Sequence, residues 1–509
     1  MAFSSLLLLL LVLHLPRHLA AQIPKNLVQE HIKNHADFSV DPCDDFYAHV
    51  CPATTNGRFF ADLTTLKRNI TERFKWKHPE LQHFNPTNTE NNARLLEQLI
   101  QSGDVLEEIC SENERIFDVV ARLLISTPTH PNNAFRKKSC REKIAILQDL
   151  QWPTVHYKNA RRTLSSALDA SIAHSQIESL DGKARVLFKK LKRAVHKTIK
   201  KTRWARKNHV VEEYETALDK IRFTSFADLQ NTTVSVFQLH SKSARKCLKR
   251  LEQFDEDVAE VICDVVASGD AFRLLQQPIA NVYAGDKDGI FEDLMQMWNS
   301  KDDHVYMGND MMLLMNTDFP SDLYGSIGFS LTHEIMHTFV FDDRDFEEHK
   351  PLAPLWTKHT ECVEEQNLKT CETFPTVDCD DTRRTFEEDA ADLTAYRIVW
   401  DLYRKAYTRK TRVENYESLD NKQLFFYGAA VVFCEKNGMR RKEMNFDLHT
   451  NAYQRVNSLM SQMDQFSRAF NCKPTDKMVR NKATHCDLYG KRAPLSRKTR
   501  VETETGDDR

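Results

Sequence analysis

The stretch Tyr324–Phe346, YGSIGFSLTHEIMHTFVFDDRDF, constrains this chain more than any other. His333 and His337 stand four residues apart, so on a helix they share one face, one turn from each other. That is the spacing with which two imidazoles bind one tetrahedral zinc ion, each nitrogen about 2.0–2.1 Å away. Glu334 projects beside the first histidine and can reach a metal-bound water without being a ligand. Phe329, Met336 and Phe339 supply an apolar face for such a helix, and Gly325 and Gly328 predict a turn before it. Two histidines on an amphipathic helix also occur without any metal, so a third ligand decides between the readings.

A third ligand is available downstream. FEEDAADLTAYRIVW, Phe386–Trp400, is a strongly helical run in which Glu388 and Asp392 are again four apart. Alone, such an acidic pair is usually a solvated helix face. Beside the first motif, Glu388 completes a two-His, one-carboxylate set with an open fourth position, the arrangement of catalytic zinc, one ion per chain. Asp392 would accept the free ring N–H of a ligand histidine and so fix its tautomer and orientation.

YGSIGFSLTHEIMHTF followed by EDAAD resembles the neprilysin family of zinc metallopeptidases. PCDDFYAHVC near the start resembles the N-terminal signature of that family. FFYGAAVVFC, HTNAYQRVNSLMSQMDQFSRAFNC and the closing CDLY resemble its C-terminal blocks, in the same order. The resemblance implies a mainly α fold with a small β-sheet (α+β): a thermolysin-like zinc catalytic domain plus a helical cap domain. The stretch before His333 is much shorter than in the family, so the cap is expected to be reduced. The implied activity is a zinc metalloendopeptidase cutting peptides on the amino side of hydrophobic residues, with Glu334 as general base.

The same resemblance assigns further residues. His449 would hydrogen-bond the oxyanion of the scissile carbonyl, and Arg455 would hold the carbonyl of the residue after the cut. Phe329, Val432 and Phe433 fall where the apolar specificity pocket would be, although core packing explains them nearly as well. Asn299 and Ser300 align roughly with the strand that hydrogen-bonds an extended substrate, with the rest of that strand's motif lost. Three disulfides are implied by the family alone: Cys43–Cys472, Cys51–Cys434 and Cys362–Cys486. Cys371 and Cys379 could close a small local loop, and two more bridges are expected among Cys110, Cys140, Cys247 and Cys263, with their pairing left open.

Residues 1–21 read as a signal peptide, with a short apolar core at Leu6–Leu15 and small residues before Gln22. That core is too short for a membrane helix, so the chain is expected to be secreted, without stable membrane insertion. Twelve cysteines fit an oxidising compartment. There, Asn69 and Asn231 stand in acceptor sequences for N-glycosylation. A net charge of −2 argues against nucleic acid as a main partner. The expected organisation runs from an N-terminal segment (22–91) packed on the catalytic domain, through the reduced helical cap (92–265), to the catalytic domain (266–489). A disordered tail (490–509) closes the chain.

Lys183–Lys207 holds twelve Lys or Arg in twenty-five positions, with Leu187, Leu191, Val195 and Ile199 recurring every four. This is a helix with an apolar stripe and a very basic outer face. Such a face is either simply solvated or a seat for an anionic partner, such as a sulfated glycan or an acidic peptide. An alternative to the enzyme also follows from the shortened cap, the eroded Asn299 strand and this helix: a catalytically silent, zinc-containing secreted protein that binds peptides or glycans. Glu334 argues for the enzyme, because it serves chemistry rather than metal binding.

Overall fold

The computed structural model describes residues 24–55, 57–75, 84, 88–124, 138–150, 154–202, 205–206, 211–282, 304–340, 361–374, 385–406, 419–434 and 449–488. The leader, Asn299, Ser300, Cys379, Lys207 and the tail from 490 onward lie outside them, as does the side chain of Asn231. Among the described residues the fold is mainly α with one two-stranded sheet, the class expected from sequence.

Helices α1 (Leu27–His35), α2 (Phe46–Val50) and α3 (Arg58–Lys75) open the chain. Then come α4 (Thr89–Ser102), α5 (Asp104–Glu112), α6 (Glu114–Leu124) and α7 (Cys140–Gln148). The long α8 (Val155–Ile199) precedes α9 (Val211–Lys220), β1 (Arg222–Ser225), α10 (Phe226–Leu248) and α11 (Glu256–Val282). Strand β2 (His304–Met307) pairs parallel to β1, with Arg222 opposite His304, and α12 (Asn309–Leu313) and α13 (Pro320–Leu323) follow it. The remaining helices are α14 (Phe329–Met336), α15 (Glu361–Thr373), α16 (Phe386–Ala406), α17 (Asn421–Val431), α18 (Ala452–Ser461), α19 (Asp464–Phe470) and α20 (Lys477–Arg480).

Two large apolar clusters divide these elements. One is built from α4–α7, the start of α8 and α11, around Leu96, Phe117, Leu147 and Ile262. The other joins the N-terminal helices to α14, α16, α17 and α18, around Phe46, Ile335, Val399, Phe426 and Val456. Helix α8 contributes to both, Tyr157 and Ala160 to the first and Ile177 to Ile199 to the second. Its 45 residues make a rod about 67 Å long that links the two cores.

Five disulfides between described residues fasten this arrangement. Cys43–Cys472, Cys51–Cys434 and Cys362–Cys486 are the three pairs that the family resemblance implies. Cys110–Cys140 and Cys247–Cys263 both lie in the first core and settle the pairing left open by sequence. Cys371 is also disulfide-bonded, to a partner outside the described residues.

One expectation needs correction. Tyr324–Gly328 is not a turn but a single turn of π-helix that runs on into α14. Here the glycines serve close approach. A Cβ on Gly325 would collide with the carbonyl of Phe425, and one on Gly428 would lie 3.2 Å from the Ser326 nitrogen. Two bare backbones thus let α17 cross the entrance of α14 in direct contact. The Asp420–Gln423 capping box starts α17: Asp420 Oδ1 accepts from Lys422 N at 2.8 Å and Gln423 N at 2.9 Å.

Candidate metal centre

Helices α14 and α16 pack directly on each other. Ala390, Ala391 and Ala395 are fully buried, and their small side chains allow the two axes to come close. The histidine pair of α14 therefore meets the first turn of α16. His333, His337 and Glu388 offer donor atoms that all lie within 4.8 Å of one another. His333 Nε2 is 3.0 Å from His337 Nε2 and 3.1 Å from Glu388 Oε2, while His337 Nε2 is 3.4 Å from Glu388 Oε1. A tetrahedral ion with bonds of about 2.0–2.1 Å holds its donors roughly 3.3 Å apart, so the three fit such an ion.

Around the donors sits a second layer of charge. His333 Nδ1 lies 2.7 Å from Asp392 Oδ1. Arg455 on α18 donates from Nε to Asp392 Oδ2 at 2.5 Å and from Nη2 to Asp392 Oδ1 at 3.0 Å. The same Nη2 donates to Glu388 Oε2 at 3.2 Å. His449 stands at the rim, partly exposed, with Nε2 3.3 Å from Glu388 Oε2. The guanidinium of Arg455 also lies over the Phe433 ring, 4.8 Å from its centre.

The electrostatics follow from this packing. Burial opposes a charge on His333, but Asp392 and Glu388 outweigh it and push that imidazole up to about 10. Burial dominates at His337, which falls to about 4. Glu388 is held well below the usual carboxylate range, because the three neighbouring imidazoles overcome its burial. Asp392 is lowered too, with Arg455 and His333 overcoming the cost of burial. Arg455 supplies positive charge to these acids, and a divalent cation held by the three donors would add to it.

Glu334 is buried beside His333. The Phe329 and Phe433 rings meet at a tilt, 5.9 Å apart, and Val432 is partly buried against the same core. The structure thus brings His333, His337, Glu388, Asp392, His449 and Arg455 to one centre, with Phe329 and Phe433 at its edge. Sequence reasoning missed Asp389 and Thr450. Asp389 Oδ2 accepts from Thr450 Oγ1 at 2.7 Å, Asn367 Nδ2 at 2.7 Å and Thr385 Oγ1 at 2.9 Å. The one signal for it was an extra acid in the EEDAAD run.

Residues 306–486 match Peptidase family M13. In this segment the chain is similar to the neprilysin family. Neprilysin-1 of Caenorhabditis elegans is 31% identical over 189 residues, which cover 34% of this chain and 24% of that protein. Endothelin-converting enzyme 1 of Homo sapiens is 27% identical over 179 residues, 33% of this chain and 22% of that one. The matched segment therefore spans about a quarter of the length of these curated relatives. Among solved structures, a chain titled Haemonchus galactose containing glycoprotein complex aligns with a TM-score of 0.48 and 11% identity, covering 88% of this chain and 96% of that one. The family consists of metallopeptidases, and no helix among the described residues is long and apolar enough to cross a membrane.

Proposed function

We propose that this chain is a secreted zinc metalloendopeptidase that cuts peptides on the amino side of hydrophobic residues. In this reading 266–489 is the catalytic domain, 92–265 a reduced helical cap and 22–91 an N-terminal segment packed on the catalytic domain. The observation that carries the proposal is the set of three donors at tetrahedral separations, buried His333 on α14, partly buried His337 at its C-terminal end and buried Glu388 on α16.

His333 Nε2, His337 Nε2 and the Glu388 carboxylate would hold the zinc, with Asp392 keeping the proton of His333 on Nδ1. The ion would acidify a water and polarise the substrate carbonyl. The Glu334 carboxylate takes the water's proton and returns it to the leaving amine nitrogen. The ring N–H of His449, at the open rim, donates to the carbonyl oxygen as negative charge develops there. Arg455 balances the buried acids and is the group that would hold the carbonyl after the cut. Phe329, Val432 and Phe433 would receive the hydrophobic side chain.

One observation favours a second reading, a silent zinc-containing binder: His449 and Arg455 both reach Glu388, so the donors meant for substrate already have an acceptor. Cleavage of a peptide library separates the two. The enzyme should lose turnover to a zinc chelator, and Glu334→Gln should lower it by about 10²–10⁴-fold with zinc content unchanged. Wild-type protein that holds stoichiometric zinc, binds peptides and cuts none of them would establish the binder.

A further inference from the structure

The second half of α8 carries a charge pattern that the metal centre does not use. No Asp or Glu stands between Asp181 and Glu212, whereas Lys183–Lys207 alone holds twelve Lys or Arg. The structure sorts the described cations into two groups. One group has ion-pair or hydrogen-bond partners. Arg185 donates to Asp181 Oδ2 at 2.6 Å and to Asp228 Oδ2 at 2.8 Å. His196 and Lys200 share Glu215 at 2.7 and 2.9 Å. Lys192 donates to the carbonyls of Asp219 and Ile221, and Lys190 to the Tyr324 hydroxyl. Acids and carbonyls of α9, the turn after it and the start of α10 thus account for that side.

The crest is different. Lys183, Lys189, Arg193 and Lys197 are exposed and have no acidic or carbonyl partner among the described residues. They follow the helix over fourteen residues, about 21 Å along the axis. Like charges held this close repel, at a cost that no internal acid offsets. Four exposed cations along one helix, with no acid between them in the sequence, form a surface that is complementary to an extended anion.

We infer that this crest docks a sulfated glycan chain. Three observations favour that occupant over other polyanions. The apolar face of the helix is spent in the core, with Leu187, Leu191, Val195 and Ile199 all buried, so nothing is left to insert into a membrane. The exposed apolar residue in the row is Val186; Phe188 is buried and the His196 ring is held by Glu215, so among the described residues of the row no exposed Phe, Tyr or Trp is available for bases to stack on. A single convex row suits a linear polyanion rather than a flat surface. The choice of an extracellular glycan rests on the secreted reading above, whereas the anion-binding row itself does not.

The test is binding of the whole chain to heparin at physiological salt, beside fully desulfated heparin, a DNA duplex and phosphatidylserine vesicles. Lys183→Ser/Lys189→Ser/Arg193→Ser/Lys197→Ser should weaken heparin binding at least about tenfold and flatten its salt dependence. Zinc content and peptide cleavage should stay as in wild type, and the melting temperature should not fall. A control removes the same number of exposed cations elsewhere, Lys33→Ser/Lys473→Ser/Lys477→Ser/Arg480→Ser, and should keep wild-type affinity. The inference is overturned if the crest variant binds like wild type, if the control loses as much, or if desulfated heparin binds equally well. Tighter binding of DNA or vesicles than of heparin would overturn the glycan as occupant. The pair Lys183→Ser/Arg193→Ser gives a second, milder reading of the same loss. Failure of peptide cleavage in wild type would count against the peptidase alone.

Discussion

Thr450 donates its hydroxyl to Asp389 Oδ2 across 2.7 Å, and this bond tethers the segment that carries His449. The same oxygen accepts from Asn367 on α15 and from Thr385 just ahead of α16. Glu388 and Asp389 are consecutive, so the helix turns them roughly 100° apart. One carboxylate faces the histidines while its neighbour knots three segments behind them.

Asp389 is therefore a positioning residue for His449. Asp389→Ala removes three hydrogen bonds to one buried acceptor and should cost about 2–3 kcal/mol of stability. It should also lower kcat about tenfold or more with KM and zinc content little changed, as His449 loses its tether. Asp389→Asn keeps an acceptor oxygen and should recover most of kcat. Thermal melts and steady-state kinetics on the pair check this, and wild-type kcat in Asp389→Ala would refute it.

Asp392 links the donors to Arg455, so its removal acts on both. Asp392→Ala should weaken zinc affinity by about 10–100-fold, because His333 loses the group that orients it. It also strips Arg455 of two hydrogen bonds and leaves a buried cation to Glu388 alone. Adding Arg455→Ala should thus restore stability but not zinc affinity. Competition with a graded chelator and a denaturation series read the two effects separately.

Much of the centre was legible because it is local. The pairs His333/His337 and Glu388/Asp392 each lie one turn apart on a single helix, so spacing alone sets each face. The meeting of α14 with α16 is tertiary, and the family resemblance supplied it rather than the spacing. Asp389 stayed hidden because two of its three partners come from segments 22 and 61 residues away. The parallel pairing of β1 with β2 joins four-residue strands some eighty positions apart, too short for any periodic signal. Gly325 was read as a turn because its use, contact with the Phe425 backbone, depends on a helix a hundred residues on.

Asp322 provides a pH dependence away from the metal centre. It is buried beneath the α13–α17 contact, Oδ1 has no hydrogen-bond partner among the described residues, and Oδ2 accepts from Thr317 Oγ1 at 3.4 Å. Burial raises this carboxyl to about 8, with Gln29 and Thr317 offsetting part of the effect. The folded chain therefore keeps a proton that the unfolded chain releases near pH 4, and stability falls as pH rises from about 4 to about 8. Asp322→Asn should remove that loss and gain on the order of a few kcal/mol over wild type at pH 8, with little difference at pH 4. Parallel unfolding curves at pH 5 and pH 8 decide it, and an equal gain at both would exclude a titrating Asp322.

The two disulfides that tie the N-terminus to the metal domain should not act independently. Cys43–Cys472 and Cys51–Cys434 are nested, and their sequence separations, 429 and 383, differ by only 46 residues. While either bridge is intact, opening the other frees only that difference, about 4 kcal/mol of loop entropy in the chain-entropy relation. Once both are open, the whole long loop is released, worth roughly 6 kcal/mol by the same relation. Removing both bridges should therefore cost about 2 kcal/mol more than the two single losses added together. Within one bridge the outcome reverses: Cys43→Ser with Cys472→Ser should be little worse than either alone, since both lose the same bond. Denaturation midpoints for the Ser variants of each pair, and of both pairs together, give both couplings. Simple additivity between the two bridges would show that the unfolded chain does not feel them as one nested loop.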